Sequence, residues 1–152
     1  MEALRYFIFE ESGFHGSRTE YYHSASRYLD HVLDDSEGLP VPLSVVFIEL
    51  ARRLEIEDVS GLALPGHFVV GHFQNDKDKL KIIDVFERGK ILSKAETIEM
   101  IRSISGYRIG DEDFEPVDPR GIVVRMLQNL IGLEIDDKKE PTEAVKFLDL
   151  AS

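Results

Sequence analysis

Three stretches of the chain carry residue types suited to acyl-group chemistry. "GLPVPLSVVFIELARRL" has one hydroxyl, Ser44, at the head of a nearly apolar run; "LALPGHF" carries His67 and "IIDVF" carries Asp84. Collected in one place, the alcohol would attack an acyl carbon and the imidazole would take its proton. The carboxylate would fix the imidazole tautomer and steady the imidazolium. Each residue also has a plain structural reading. Serine is favoured at helix starts, where its oxygen satisfies free backbone donors, and a His–Asp pair can simply close a strand end.

The elements expected to position these residues follow from periodicity and breakers. Residues 1 to 12 space Leu4, Phe7, Ile8 and Glu11 as a helix that Gly13 stops. A loop, "GFHGSRT", leads to a second helix over about 19 to 34, which "DDSEGLPVP" breaks. Pro42 suits a first helical position, placing Ser44 third, near free N–H groups and the positive dipole end that would favour an oxyanion. From Leu43 to Ala51 only Ser44 and Glu49 are polar, the pattern of a buried central helix. "VSGLAL", "HFVVGHF" and "LKIIDVF" read as strands. "SKAE" is a capping box that opens a helix to about Ser103. "GDEDFEPVDP" reads as a solvated acidic loop, Asp118 and Pro119 as the start of a helix to about Gly132, and "PTEAVKFLDLA" as a last helix. Helices, then a sheet, then helices make an α+β fold.

The strands "HFVVGHF" and "LKIIDVF" flank "QNDKDK", and a hairpin symmetric about its midpoint pairs residues whose numbers sum to 151. That register sets His67 directly opposite Asp84, Val69 opposite Ile82 and Gly71 opposite Leu80. Opposed residues share a face within side-chain reach, and a slip of one residue would separate them.

Composition narrows the functions. The 18 basic and 29 acidic residues give a net charge of -11, which disfavours a nucleic-acid partner or an anionic membrane surface. The absence of cysteine excludes disulfides, thiolate metal sites and thiol nucleophiles. His15, His23, His31 and His72 show no metal-ligand spacing, "DEDFE" and "EIDDKKE" lack the glycine and spacing of a calcium loop, and the glycines form no phosphate-binding motif. No metal or cofactor is expected. The start "MEALRYFIFEES" has an early acid and no basic region, so a cytoplasmic protein is expected rather than a secreted or membrane-spanning one.

Taken together, "YFIFEESGFHGSRTEYYHSASRYLDHVL", "GLPVPLSVVFIELARRL", "LALPGHF" and "IIDVFERGKILSKAE" resemble the SirB-type transglutaminase-like family, whose domain also occurs in a ubiquitin-ligase F-box protein of animals. The resemblance implies a papain-related fold with a buried helix on a small antiparallel sheet. It implies a transglutaminase-like domain over residues 1–115 and, over 116–152, a helical pair like the start of a tetratricopeptide-like extension. By motif, the cysteine, histidine and aspartate places of active transglutaminase-like enzymes fall on Ser44, His67 and Asp84. The chain departs from the family pattern at "DDSEGLP", at Asp30 and at "VVGHF". Two functions stay open: a catalytically degenerate module that recognises a protein or peptide, and a Ser-His-Asp acyl transferase or amide or ester hydrolase.

Overall fold

The computed structural model describes residues 1–18, 28–74 and 79–138, with the backbone alone for 132–138. The element order is α1 (Glu2–Tyr6), running on as a π-helical turn (Phe7–Glu11), β1 (His15–Gly16), α2 (Leu29–Asp35), β2 (Glu37–Gly38) and α3 (Pro40–Arg53). Then come β3 (Val59–Leu64), β4 (His67–His72), β5 (Lys81–Asp84), β6 (Lys90–Leu92), α4 (Lys94–Ser105), a 3₁₀ turn (Asp111–Phe114) and α5 (Pro119–Lys138). The α+β arrangement expected from the sequence is the one observed. The first part of the helix expected over 19 to 34, with Tyr21, Tyr22 and His23, lies outside the described residues, as does the helix expected at 141 to 151.

Helix α3 is the centre of the molecule. Val41, Pro42, Leu43, Ser44, Val46, Phe47 and Ala51 are buried. Of these, Leu43, Val46, Phe47 and Ala51 join Leu4, Ile8, Phe9, Val32, Val70, Ile83 and Val85 in one apolar cluster, with Phe9 and Phe47 stacked 5.9 Å apart. The helix begins two residues earlier than Pro42 implies, at Pro40, with Leu39 as its N-cap. At its other end Glu49 accepts hydrogen bonds from Arg52 and Arg53 on the exposed face. Those bonds hold the Glu49 carboxyl down at about 2. Near the chain start, the π turn closes with Ser12 N–H on Phe7 O at 2.8 Å. The wider turn puts Phe9 in the core and leaves Phe7 half exposed, a correction to the expected stripe.

Strands β3, β4, β5 and β6 form an antiparallel meander in that order. Strand β6, and the parallel pairing of His15 with Glu37 and Gly16 with Gly38 inside the supposed loop, were not foreseen. Alternation gives the sheet two apolar faces. Val70 and Ile83 pack toward α3, while Leu62, Leu64, Val69, Ile82 and Leu92 pack with Ile101, Ile109 and Phe114 on the α4 side. Ser93 caps α4 with the reciprocal Ser93–Glu96 box, as its motif predicts. The acidic loop is not wholly solvated: Phe114 is buried, and Val117 bridges Gly61. Asp118 Oδ1 accepts from Gly121 N–H at the head of α5. That helix continues past Gly132 to Lys138, since one glycine costs a helix only ~1 kcal/mol and cannot end it alone.

The register of β4 against β5 differs from the symmetric hairpin. Val70 pairs with Ile83, Gly71 with Ile82 and His72 with Lys81, so the numbers sum to 153. Gly71 is therefore opposite Ile82, not Leu80. A shift of two residues keeps every side chain on its expected face, which is why the apolar pattern fixes parity but not the absolute register.

His72, the last residue of β4, has its Nδ1 buried with no hydrogen-bond partner among the described residues. Burial, followed by the chain amino terminus and Lys81, lowers its pKa from the ordinary 6.5, with Asp58 opposing. The unfolded chain therefore takes up this proton before the folded one. The stability contributed is complete above the ordinary value and is lost as pH falls below it toward the folded pKa. Chemical unfolding between about pH 7 and pH 5 is expected to show a steeper loss of stability in the wild type than in His72→Leu; equal slopes would remove His72 from the acid response.

Candidate functional site

The turn Leu64–Pro65–Gly66–His67 places His67. Gly66 has φ +72°, and proline then glycine at the central positions is the signature of a type II turn. Leu64 and His67 are the paired residues that close this hairpin. In the 153 register, carried to the strand end, Phe86 falls opposite His67 and Asp84 falls diagonal to it. Both contacts form. His67 Nε2 lies 3.0 Å from Asp84 Oδ2, and the His67 ring meets the Phe86 ring edge-on, centroids 6.3 Å apart. An ionised carboxylate only accepts, so Nε2 carries the proton toward Asp84 and Nδ1 is left as the basic nitrogen of the neutral ring.

Asp84 is 1% exposed and fully engaged. Its Oδ1 accepts from Phe86 N–H at 3.0 Å and Glu87 N–H at 3.2 Å, the side-chain-to-backbone pattern by which aspartate nucleates a turn. Arg88 and Gly89 then take left-handed φ values, and Gly89 N–H closes on Asp84 O at 2.8 Å. One carboxylate thus builds the β5–β6 turn and orients the imidazole. Phe86 O accepts from Gly16 N–H at 3.1 Å, and its ring lies against Gly16 so closely that a Cβ there would collide.

Ser44 sits differently. It is fully buried, and its Oγ donates to the Pro40 carbonyl at 2.7 Å, one turn back in its own helix. As the fifth residue of α3, not the third, it lies past the free donors of the helix head. Those donors are few. Pro40 and Pro42 have no N–H and Leu43 N–H bonds Leu39 O, so in the first turn only Val41 has an N–H outside the helical ladder. The structure brings His67 and Asp84 together; among the described residues, neither shares a hydrogen bond with Ser44. His67 is paired with Leu64 on the sheet face that α4 covers, whereas α3 covers the other. The head of α3 and His67 meet around the strand end, in a cavity of about 230 Å³ lined by Leu39, Pro40, Val41, His67, Phe68 and Arg125 among others.

Two residues of this neighbourhood escaped the sequence reading. Phe86 had a signal, its alternation two residues after Asp84. Arg125 had none: it comes from α5, and its guanidinium reaches Leu64 O at 3.4 Å across 61 residues of chain.

A family model described as the transglutaminase-like superfamily matches residues 1–128. The chain belongs to that superfamily. Its transglutaminase-like domain is α+β, with α3 buried against the antiparallel sheet and helices flanking both. A UPF0162 protein of Xylella fastidiosa (strain 9a5c) is 35% identical over 135 residues, covering 86% of this chain and 47% of that protein. F-box only protein 21 of Homo sapiens is 25% identical over 139 residues, covering 88% of this chain and 21% of that protein. A UPF0162 protein of Vibrio cholerae is 30% identical over 69 residues. The chain spans about half the length of the Xylella relatives it matches. No solved structure matches. No described helix of the transglutaminase-like chain is long and apolar enough to cross a membrane.

The engagement of Asp84 has a measurable cost. Asp84→Ala strands the Phe86 and Glu87 N–H groups and leaves His67 without its acceptor, so it is expected to destabilise by about 2–4 kcal/mol in urea unfolding. Asp84→Asn keeps an acceptor for the turn and is expected to cost less than half as much. His67→Ala keeps both turn N–H bonds and removes one partner of the carboxylate, and is expected to cost about 1–2 kcal/mol. A cost for Asp84→Ala no greater than that for His67→Ala would show that the turn does not depend on the carboxylate.

Proposed function

We propose that this transglutaminase-like domain is a catalytically degenerate recognition module of the SirB type, which binds a protein or peptide partner at the cleft beside His67 and along α5. The observation that carries the reading is the Ser44 hydroxyl. It is excluded from solvent, with its proton committed to the Pro40 carbonyl, so it presents no nucleophile to an incoming acyl group. A hydroxyl needs a base to pull its proton throughout the attack, and His67 shares no described hydrogen bond with it. The two prolines support the same reading, because they strip the helix head of donors that an oxyanion would need.

Acyl transfer or amide or ester hydrolysis by Ser44, His67 and Asp84 is the second reading. What favours it is the direct His67–Asp84 hydrogen bond, with the carboxylate steadied by two backbone N–H groups and Nδ1 left basic. Under it, Ser44 would leave Pro40 for Nδ1 when substrate enters. His67 would then take the hydroxyl proton as the oxygen attacks and return it to the leaving group.

The chain has no cysteine, so Ser44→Cys gives a single-thiol protein that reports on this place cleanly. Under the recognition reading, a fluorophosphonate probe leaves the wild type unlabelled. The Ser44→Cys thiol then reacts with iodoacetamide at least tenfold slower than an unfolded control, and His67→Ala does not change that rate. Labelling of the wild type that Ser44→Ala and His67→Ala both abolish would replace this reading with the catalytic one. So would a Ser44→Cys thiolate formed below the ordinary thiol range in a His67-dependent way.

A further inference from the structure

The far end of the sheet holds a second cavity. His67 opens β4 and Phe73 follows its last residue, six positions on, so the two ends are about 20 Å apart at the rise of a strand. The cavity there has a volume of about 710 Å³, within the range of ligand sites. Its floor is apolar: Val59, Phe73 and Leu80 are partly buried, and the Phe114 ring beneath them is 4% exposed. Among the described lining residues its rim is acidic, with Asp58, Asp111, Glu112 and Glu115 beside one cation, Lys94.

Lys94 shows how this place holds positive charge. Its Nζ bonds Asp111 Oδ1 at 2.9 Å and lies 5.6 Å from the centroid of the Phe114 ring. That one lysine offsets Asp111 and no more. Among the described residues, Asp58, Glu112 and Glu115 enter no ion pair, although Asp58 acts on His72, so acidic charge is in excess beside an apolar floor in a chain already at -11. An apolar ligand would leave those charges partly dehydrated with nothing gained. An anion would meet repulsion from three sides. The chemistry that fits both features is a cation attached to a bulky apolar group.

We propose that this cavity is a docking site for a protein partner presenting an arginine or lysine next to a large apolar side chain. The apolar group lies on Phe73, Leu80 and Phe114, and the cation sits among Asp58, Glu112 and Glu115. This surface is separate from the cleft at His67, so the two readings stand or fall independently.

The test uses the whole chain, assigned by amide NMR, and three probes: acetyl-Phe-Arg-amide, acetyl-Phe-Gln-amide and acetyl-Ala-Arg-amide. The first is expected to shift the Val59, Ser60, Phe73 and Phe114 amides. Replacing Arg by Gln is expected to weaken binding about fivefold, and replacing Phe by Ala about tenfold or more. Added salt weakens the arginine probe and not the glutamine one. Glu112→Gln with Glu115→Gln brings the first probe most of the way down to the second, Asp58 remaining, without altering thermal unfolding, since both side chains are exposed. Several results overturn the proposal: no shift at millimolar peptide, equal binding of all three probes, or shifts confined to residues around Pro40 and His67. Equally strong shifts with spermidine would also do so, because the apolar floor would then contribute nothing.

Discussion

The burial of α3 is the constraint on which the rest of the molecule rests. A helix with apolar side chains on most sides has only a narrow face, that of Glu49, Arg52 and Arg53, to give to water, so it must be covered from several directions at once. The sheet supplies Val70 and Ile83, the N-terminal helical segment supplies Leu4, Ile8 and Phe9, and α2 supplies Val32. These elements come from distant parts of the chain and are ordered by one shared need, the removal of apolar surface from water. The same burial decides the fate of Ser44. A hydroxyl with no access to solvent is costly without a partner, and Ser44 finds one in a carbonyl one turn back in its own helix.

Asp84 answers the same requirement in another way. A buried carboxylate is tolerable only when its oxygens are hydrogen-bonded. Here two backbone N–H groups and an imidazole provide those bonds, and in doing so set both the β5–β6 turn and the orientation of His67. A histidine held against an aspartate is therefore explained by structure before any chemistry is asked of it. One carboxylate group serves both the β5–β6 turn and the imidazole. The pair can persist for the turn's sake whether or not the serine ever reacts.

The polar groups lie at opposite ends of one strand. At the beginning of β4 are an imidazole, a guanidinium and the head of a proline-rich helix; beyond its end are an apolar floor and a group of carboxylates. The middle of the strand, Phe68, Val69 and Val70, is buried on both faces and offers nothing to solvent. A sheet sandwiched between two apolar layers presents its chemistry only at its edges and loop ends.

Periodicity, breakers and capping chemistry are local, and so the buried helix, the three strands "VSGLAL", "HFVVGHF" and "LKIIDVF", the Ser93 cap and the proximity of His67 to Asp84 could be read from residue order. Parity along a strand depends only on which residues are apolar, so the face shared by His67 and Asp84 was legible while the absolute register, off by two, was not. Other features needed the folded chain. The start of α3 at Pro40, the π turn that exposes Phe7, the pairing of β1 with β2, the burial of Phe114 and the arrival of Arg125 all follow from contacts between distant segments. Above all, residue type named Ser44 as an alcohol at a helix head, but where its proton points was decided by what covers it. A hydrogen bond's direction depends on which acceptors remain once water is gone, and only tertiary packing settles that.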